Sequence, residues 1–132
     1  MRILIVEDEL IIAEDLKLSL QSFGHEVIAM VSSGEKAIAY ADSLTPDVIF
    51  MDINLDGELN GIDAAIKIGE KHEIPIVFCS AYIDRVTKRE TSQIKSGIFI
   101  SKPVEELKLQ RALSNFIGQS TNTNLILQYS TN

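Results

Sequence analysis

Four short runs of apolar, mostly β-branched residues recur along the chain with no polar residues alternating among them: Ile3-Leu4-Ile5-Val6, Val48-Ile49-Phe50-Met51, Ile76-Val77-Phe78-Cys79 and Ile98-Phe99-Ile100. Such uninterrupted runs read as strands buried on both faces, the pattern of a parallel sheet covered by helices. Val27-Ile28-Ala29-Met30-Val31 is a fifth run of the same type. Between the runs the apolar positions are spaced for helices. Ala13, Leu16, Leu20 and Phe23 make one face ahead of Gly24, and Ala37, Ile38 and Ala41 make another behind Ser32-Ser33-Gly34-Glu35, which has the form of a capping box. Ile62, Ala65, Ile66 and Gly69 make a third, and Leu109, Ala112, Leu113 and Phe116 the last. Where a fourth helix is due, Asp84 to Ser96 carries only Val86 and Ile94 as large apolar residues, so a helix there would be loosely held. Strand and helix thus alternate five times. This predicts an α/β domain: an open five-stranded parallel sheet, (βα)5, with right-handed crossovers and helices on both faces.

A chain of 132 residues fits one domain. Residues 1–118 are expected to form it. Residues 119–132 carry no charge and are rich in Ser, Thr, Asn and Gln, so they read as a polar C-terminal tail or the start of a linker, with Leu125-Ile126-Leu127 as the stretch suited to pairing. With 45% hydrophobic and 23% charged residues the chain has the mix of a globular protein. The net charge of −7 argues against direct nucleic-acid binding, which needs clustered Lys and Arg. No apolar run is long enough to cross a bilayer and the amino terminus lacks signal-peptide features, so a cytoplasmic protein without a membrane partner is expected. Cys79 stands alone, which rules out an internal disulfide, and His25 and His72 lie apart beside turn signals with no zinc-like spacing.

In a parallel sheet all carboxyl ends of the strands share one edge, and ligands bind in the crevice outside it. Glu7 and Asp8 follow the first run, Asp52 the third, Ser80 the fourth, and Ser101 and Lys102 the fifth. Taken singly, Asp8 could cap a helix, Asp52 could be a turn residue and Ser80 a common strand-end polar group. Lys102 is less easily placed, because Pro103 reads as the first residue of a helix and a cation there opposes the helix dipole. Together the set suits phosphoryl transfer. Crowded carboxylates repel one another and would take up a hard divalent cation such as Mg²⁺; Asp52 would attack phosphorus, Lys102 would neutralise phosphoryl oxygens, and Ser80 would donate a hydrogen bond to one of them.

These residues, in this order and at these strand ends, resemble response-regulator receiver domains of two-component signal transduction from Met1 to about Gly118. The resemblance implies a flavodoxin-like fold with strand order 2-1-3-4-5. It implies Asp52 as phosphoacceptor, with Mg²⁺ held by Asp8, Asp52, the backbone carbonyl of Asn54 and, through a water, Glu7. Ser80 matches the switch hydroxyl, Phe99 the switch aromatic that rotates from exposed to buried, and Lys102-Pro103 the phosphate-binding lysine with its proline, joined by a cis bond. Asn54 and Tyr82 match the positions flanking the path of a hydrolytic water, and the Tyr82 ring is expected to shield the phosphoryl group and lengthen its lifetime. The implied phosphodonor is a histidine kinase or phosphotransfer protein, and the chain would catalyse only its own phosphorylation and dephosphorylation. A homodimer face is implied on the fourth helix, fifth strand and fifth helix. Val104 departs from the Phe of many members, and Asp56-Gly57-Glu58-Leu59-Asn60-Gly61 is longer than the usual turn.

Two other readings use the same residues. Asp52, Asn54, Asp56, Gly57, Asn60 and Asp63 mimic positions of an EF-hand calcium loop, although Val48 to Met51 is a strand pattern where that motif needs a helix. A phosphatase of the haloacid dehalogenase type would also use an aspartyl phosphate, but its Asp-X-Asp follows the first strand, whereas Asp52 follows the third and is partnered by Asn54.

Overall fold

The computed structural model describes residues 1–81, 94, 97–117 and 128–130. The apolar runs become β1 (Arg2–Val6), β2 (Glu26–Val31), β3 (Val48–Asp52), β4 (Ile76–Ser80) and β5 (Gly97–Ser101). The helically spaced stretches become α1 (Leu10–Ser22), α2 (Gly34–Leu44), α3 (Gly61–Gly69) and α4 (Glu106–Ile117). All strand pairs are parallel, in the flavodoxin-like order β2-β1-β3-β4-β5. The chain leaves β1 towards one side for β2 and later returns to its other side as β3, which opens a crevice at their carboxyl ends.

Pleating explains why the runs do not alternate. Ile3, Ile5, Val48, Phe50, Val77, Cys79, Ile98 and Ile100 point to one face, where they meet Ala13 and Leu20 of α1 and Leu109, Ala112 and Leu113 of α4. Leu4, Val6, Ile49, Met51, Phe78 and Phe99 point to the other, against Ala37 and Ala41 of α2 and Ile62, Ala65 and Ile68 of α3. Every position of a central strand therefore needs an apolar side chain. On the α2/α3 face Phe78 and Phe99 stack with ring centroids 4.7 Å apart and planes 18° from parallel. The stretch Asp84 to Ser96 lies outside the described residues except for Ile94, which packs against this second core. Among the described residues no helix is long and apolar enough to cross a membrane.

Three local expectations change. The cap of α2 is Ser33 rather than Ser32: its backbone is extended and its Oγ accepts from the Lys36 amide at 3.2 Å, so Ser32 and Glu35 do not form a capping box. Pro103 does not open a helix, because α4 starts at Glu106 and a non-helical turn holds residues 102–105; Lys102 is thus clear of the helix's first turn. The Lys102-Pro103 bond itself is cis, as the resemblance implies. The sheet also has one strand more than the pattern predicts. Residues 128–130, within the segment read as a tail, form β6 (Gln128–Ser130), parallel to β5 in the register Ile98↔Gln128, Phe99↔Tyr129 and Ile100↔Ser130. An outer strand carries a row of unpaired backbone groups, and an uncharged segment free of Pro and Gly is suited to pair with them.

The start of α3 fixes the carboxyl end of β3. The Asn60 side chain caps the helix, accepting from the Asp63 amide at 2.9 Å, and the Gly61 amide donates to the Ile53 carbonyl at 2.9 Å. This brings the Gly61 Cα so close to the chain that a Cβ there would run into the carbonyl of Asp52 and lie 2.9 Å from the Ile53 Cα. Glycine is required for proximity. Gly61→Ala is expected to lower unfolding free energy by about 1–3 kcal/mol, because backbone rather than a flexible side chain has to move. Urea unfolding checks this, and a variant as stable as the parent would show that the loop yields freely.

Candidate functional site

Each strand delivers its last residues to the same edge. Glu7 and Asp8 directly follow β1, Asp52 ends β3, Ser80 ends β4, and Lys102 follows Ser101 at the end of β5. β3 and β4 hold Asp52 level with Cys79, and β4 and β5 hold Ser80 level with Ser101. Two further backbone bonds bind the turns to the edge: the Ile53 amide donates to the Cys79 carbonyl at 3.2 Å and the Lys102 amide to the Ser80 carbonyl at 2.9 Å. The carboxylates of Glu7, Asp8 and Asp52 each place an oxygen within 4.8 Å of the others. Glu7 and Asp52 are nearly buried, with 7% and 5% of their surface exposed, and Asp8 is half-buried. Asp8 is not spent as a helix cap, since Glu9 takes the N-cap position of α1 and makes no side-chain capping bond.

Among the described residues one ammonium serves this group. Lys102 Nζ lies 2.9 Å from Glu7 Oε1 and 3.3 Å from Asp52 Oδ2. The Glu9 amide donates to Glu7 Oε2 at 3.1 Å and the Asn54 amide to Asp52 Oδ1 at 3.1 Å. Burial pushes the Glu7 carboxyl up from 4.5 to about 7; Lys102 and the Glu9 amide oppose this, and neighbouring Asp52 adds to it. For Lys102 burial acts downward, but the Glu7 and Asp52 carboxylates together outweigh it and its pKa is raised. The arrangement is a half-buried cleft of hard oxygen donors with more acid than base, which suits a small divalent cation and an incoming phosphoryl group. Cys79 lies beside these residues but faces the α1/α4 core, and burial drives its thiol up to about 12, so it has no nucleophilic role.

Glu7, Asp8, Asp52, Asn54, Ser80 and Lys102 lie at this edge, whereas Phe99 lies inside the core, and two details differ from expectation. Phe99 is already fully buried and stacked on Phe78, so the exposed resting position that the resemblance implies for it is not found; the two flat rings fill the same layer. Asn54 also brings its side chain to the site: exposed, it donates from Nδ2 to Ser80 Oγ at 3.5 Å. Tyr82 lies outside the described residues. The EF-hand reading fails because strand β3 precedes the loop and because Asn60 and Asp63 are the capping pair of α3. Sequence reasoning missed Lys108. It is nearly buried in the first turn of α4, against the turn that carries Lys102, and its signal was a lysine where a helix start favours acid.

Comparison with known proteins agrees with this geometry. Residues 3–114 match the family described as response regulator receiver domain. The chain is 32% identical over 121 residues to the phyllosphere-induced regulator PhyR of Methylorubrum extorquens, covering 89% of this chain and 45% of that protein. The signal receiver domain of a modulated diguanylate cyclase from Desulfovibrio desulfuricans superposes with a TM-score of 0.80 at 31% identity, over 89% of this chain and 94% of that one. The receiver domain of the sensor histidine kinase PA1611 from Pseudomonas aeruginosa, which has a magnesium ion coordinated in its active site cleft, gives 0.79 at 28% identity, over 89% of this chain and 98% of that one. The chain spans half or less of the length of the curated relatives it matches first. With its acidic pocket of Glu7, Asp8 and Asp52 at the sheet edge, the chain belongs to the response regulator receiver domain family.

Proposed function

We propose that Asp52 is the phosphoacceptor and that phosphorylation requires Mg²⁺. The observation that carries this reading is the meeting of three carboxylates within 4.8 Å of one another beside the ammonium of Lys102. The donor set is all oxygen, as Mg²⁺ prefers. Asp8, Asp52 and the Asn54 main-chain carbonyl would hold the ion directly. Glu7 would act through a water, since its two oxygens are engaged by Lys102 and the Glu9 amide. When bound, the cation supplies charge neutralisation at the phosphoryl oxygens.

The phosphodonor is a phosphohistidine of a histidine kinase or phosphotransfer protein. An Asp52 carboxylate oxygen forms the new bond to phosphorus while the N–P bond breaks and the histidine nitrogen keeps the electron pair. Lys102, poised between Glu7 and Asp52, donates to a phosphoryl oxygen, and the Ser80 hydroxyl donates to another. Ser80 drawn toward the phosphoryl group pulls on the chain beyond it, residues 81–102. With the Phe99 ring already inside, the change is a shift of that segment rather than an inward swing of the ring. Residues 84–96, β5 and α4 would then form the face offered to a partner or to a second copy. Asn54 and Tyr82 flank the water path, and shielding by the Tyr82 ring gives the aspartyl phosphate a long lifetime. Residues 1–118 act as the receiver and 119–132 as its C-terminal extension, in a cytoplasmic protein.

Mass measurement after incubation with acetyl phosphate and Mg²⁺ is expected to show one phosphoryl adduct on the parent, and none on Asp52→Asn or after chelation of the metal. Modification of Asp52→Asn at the parent rate would sink the assignment. Addition of beryllofluoride should change hydrogen exchange most between residues 81 and 102; an unaltered pattern there would refute the switch.

Glu7 sets the pH dependence. A carboxyl raised to about 7 in the fold from 4.5 contributes stability that is present below 4.5 and lost as pH rises through about 7. Glu7→Gln mimics the protonated form. In chelator, its advantage in thermal stability over the parent is expected to be absent near pH 4 and to grow up to about pH 7–8. Protons also compete with the cation for the site, so calorimetry should find tighter Mg²⁺ binding at about pH 8 than at about pH 6. Equal affinity at both would show that Glu7 does not titrate there.

A further inference from the structure

Lys108 is buried, with 9% of its surface exposed, in the first turn of α4. Both features are unfavourable by themselves. An ammonium loses its hydration on burial, and a cation at a helix start opposes the positive end of the dipole. Among the described residues no carboxylate forms an ion pair with it. Its Nζ instead donates to three neutral oxygens: the Ser101 hydroxyl at 3.0 Å, the Ser101 carbonyl at 3.3 Å and the Pro103 carbonyl at 3.5 Å. Three donors meet three acceptors, which satisfies the ammonium completely.

Those acceptors belong to the residues on either side of Lys102. The same turn is tied to β4 through the Lys102 amide and the Ser80 carbonyl. Lys102 therefore leaves a backbone held from below by α4 and from the side by β4, while its own Nζ reaches Glu7 and Asp52. The next residue along, Leu109, is buried in the α1/α4 core and anchors the helix from which Lys108 extends. An apolar residue at position 108 would suit the helix start and the burial better, yet would leave the Ser101 and Pro103 carbonyls without this donor. A side chain that breaks two local preferences while joining helix to site indicates a task beyond stability.

We infer that Lys108 is a positioning residue for phosphoryl transfer: it clamps the Ser101-Lys102-Pro103 turn so that the Lys102 ammonium stands at the phosphoacceptor. The inference rests on the reading of Asp52 and Lys102 above. It makes α4 part of the machinery, because any displacement of that helix is passed through Lys108 to the turn.

Lys108→Met keeps the length of the side chain and removes its donors. It is expected to bind Mg²⁺ as the parent does, since Glu7, Asp8 and Asp52 are untouched, but to be phosphorylated by acetyl phosphate about tenfold more slowly or worse, as misplacement of a catalytic group costs. Added to Lys102→Ala it should cause no further loss, because its effect passes through Lys102. Ser101→Ala, which removes one acceptor and leaves the fold intact, should slow the reaction in the same direction by less, and it decides the matter if Lys108→Met does not fold. In the parent, nitrogen NMR of the lysine side chains should show a hydrogen-bonded, slowly exchanging Lys102 ammonium that is lost in Lys108→Met. Parent-like rates in both variants, or equal losses with and without Lys102, would overturn the inference while leaving Asp52 as acceptor. If the parent itself takes no phosphoryl group, the functional reading fails and the Lys102 signal alone decides the role of Lys108.

Discussion

Two carboxylates almost out of water share the ammonium of Lys102, and much of the molecule serves to keep them together. Such a cluster would disperse in a flexible chain, since ionised neighbours repel and each loses hydration on burial. Here Glu7 and Asp52 issue from adjacent strands whose flanking residues are locked into both cores, so the repulsion is met by rigid backbone. Lys102 has to arrive from a third strand, β5, and its placement depends on the register of β4 against β5 and on the turn that follows. A proton on Glu7 or a cation in the cleft would balance the same excess charge that the Lys102 ammonium meets, so the three would compete.

The sequence declared the sheet well because each central strand feeds two cores and so has no polar position in its interior to blur its pattern. The acidic edge was legible for a related reason: in an α/β alternation, any polar residue at the end of an apolar run has to emerge on one side. What stayed hidden depended on contacts between residues distant in the chain. The burial of Phe99 follows from its stack on Phe78, whose rings meet only because β4 and β5 pair in one register. β6 could not be read from a polar segment whose pairing is made by backbone rather than side chains. The Ser33 cap and the Glu106 start of α4 were each displaced from expectation by a short distance, as helix ends are set by local hydrogen bonds that composition constrains weakly.

Lys108 shows the same limit at the site. A lysine in an otherwise amphipathic helix reads as a solvent-facing residue, and only the return of the chain after β5 brings three oxygens over its ammonium. Gly61 is the counterpart on the other side of the cleft. Its missing side chain lets α3 begin against the backbone of the strand that ends in Asp52. The cleft is thus framed by one residue chosen for a charge it hides and another for having no side chain.

The parity of β4 has a chemical consequence. Cys79 and Ser80 are consecutive, and the pleat sends the sulfur into the α1/α4 core while the hydroxyl is left beside Asn54 at the cleft. Alternation alone segregates a thiol, which would compete for electrophiles and respond to oxidants, from a hydroxyl that only donates and accepts hydrogen bonds. Among the described residues the groups left at the edge offer oxygen and nitrogen, and the one sulfur next to them is closed off in the core while the strand holds its place.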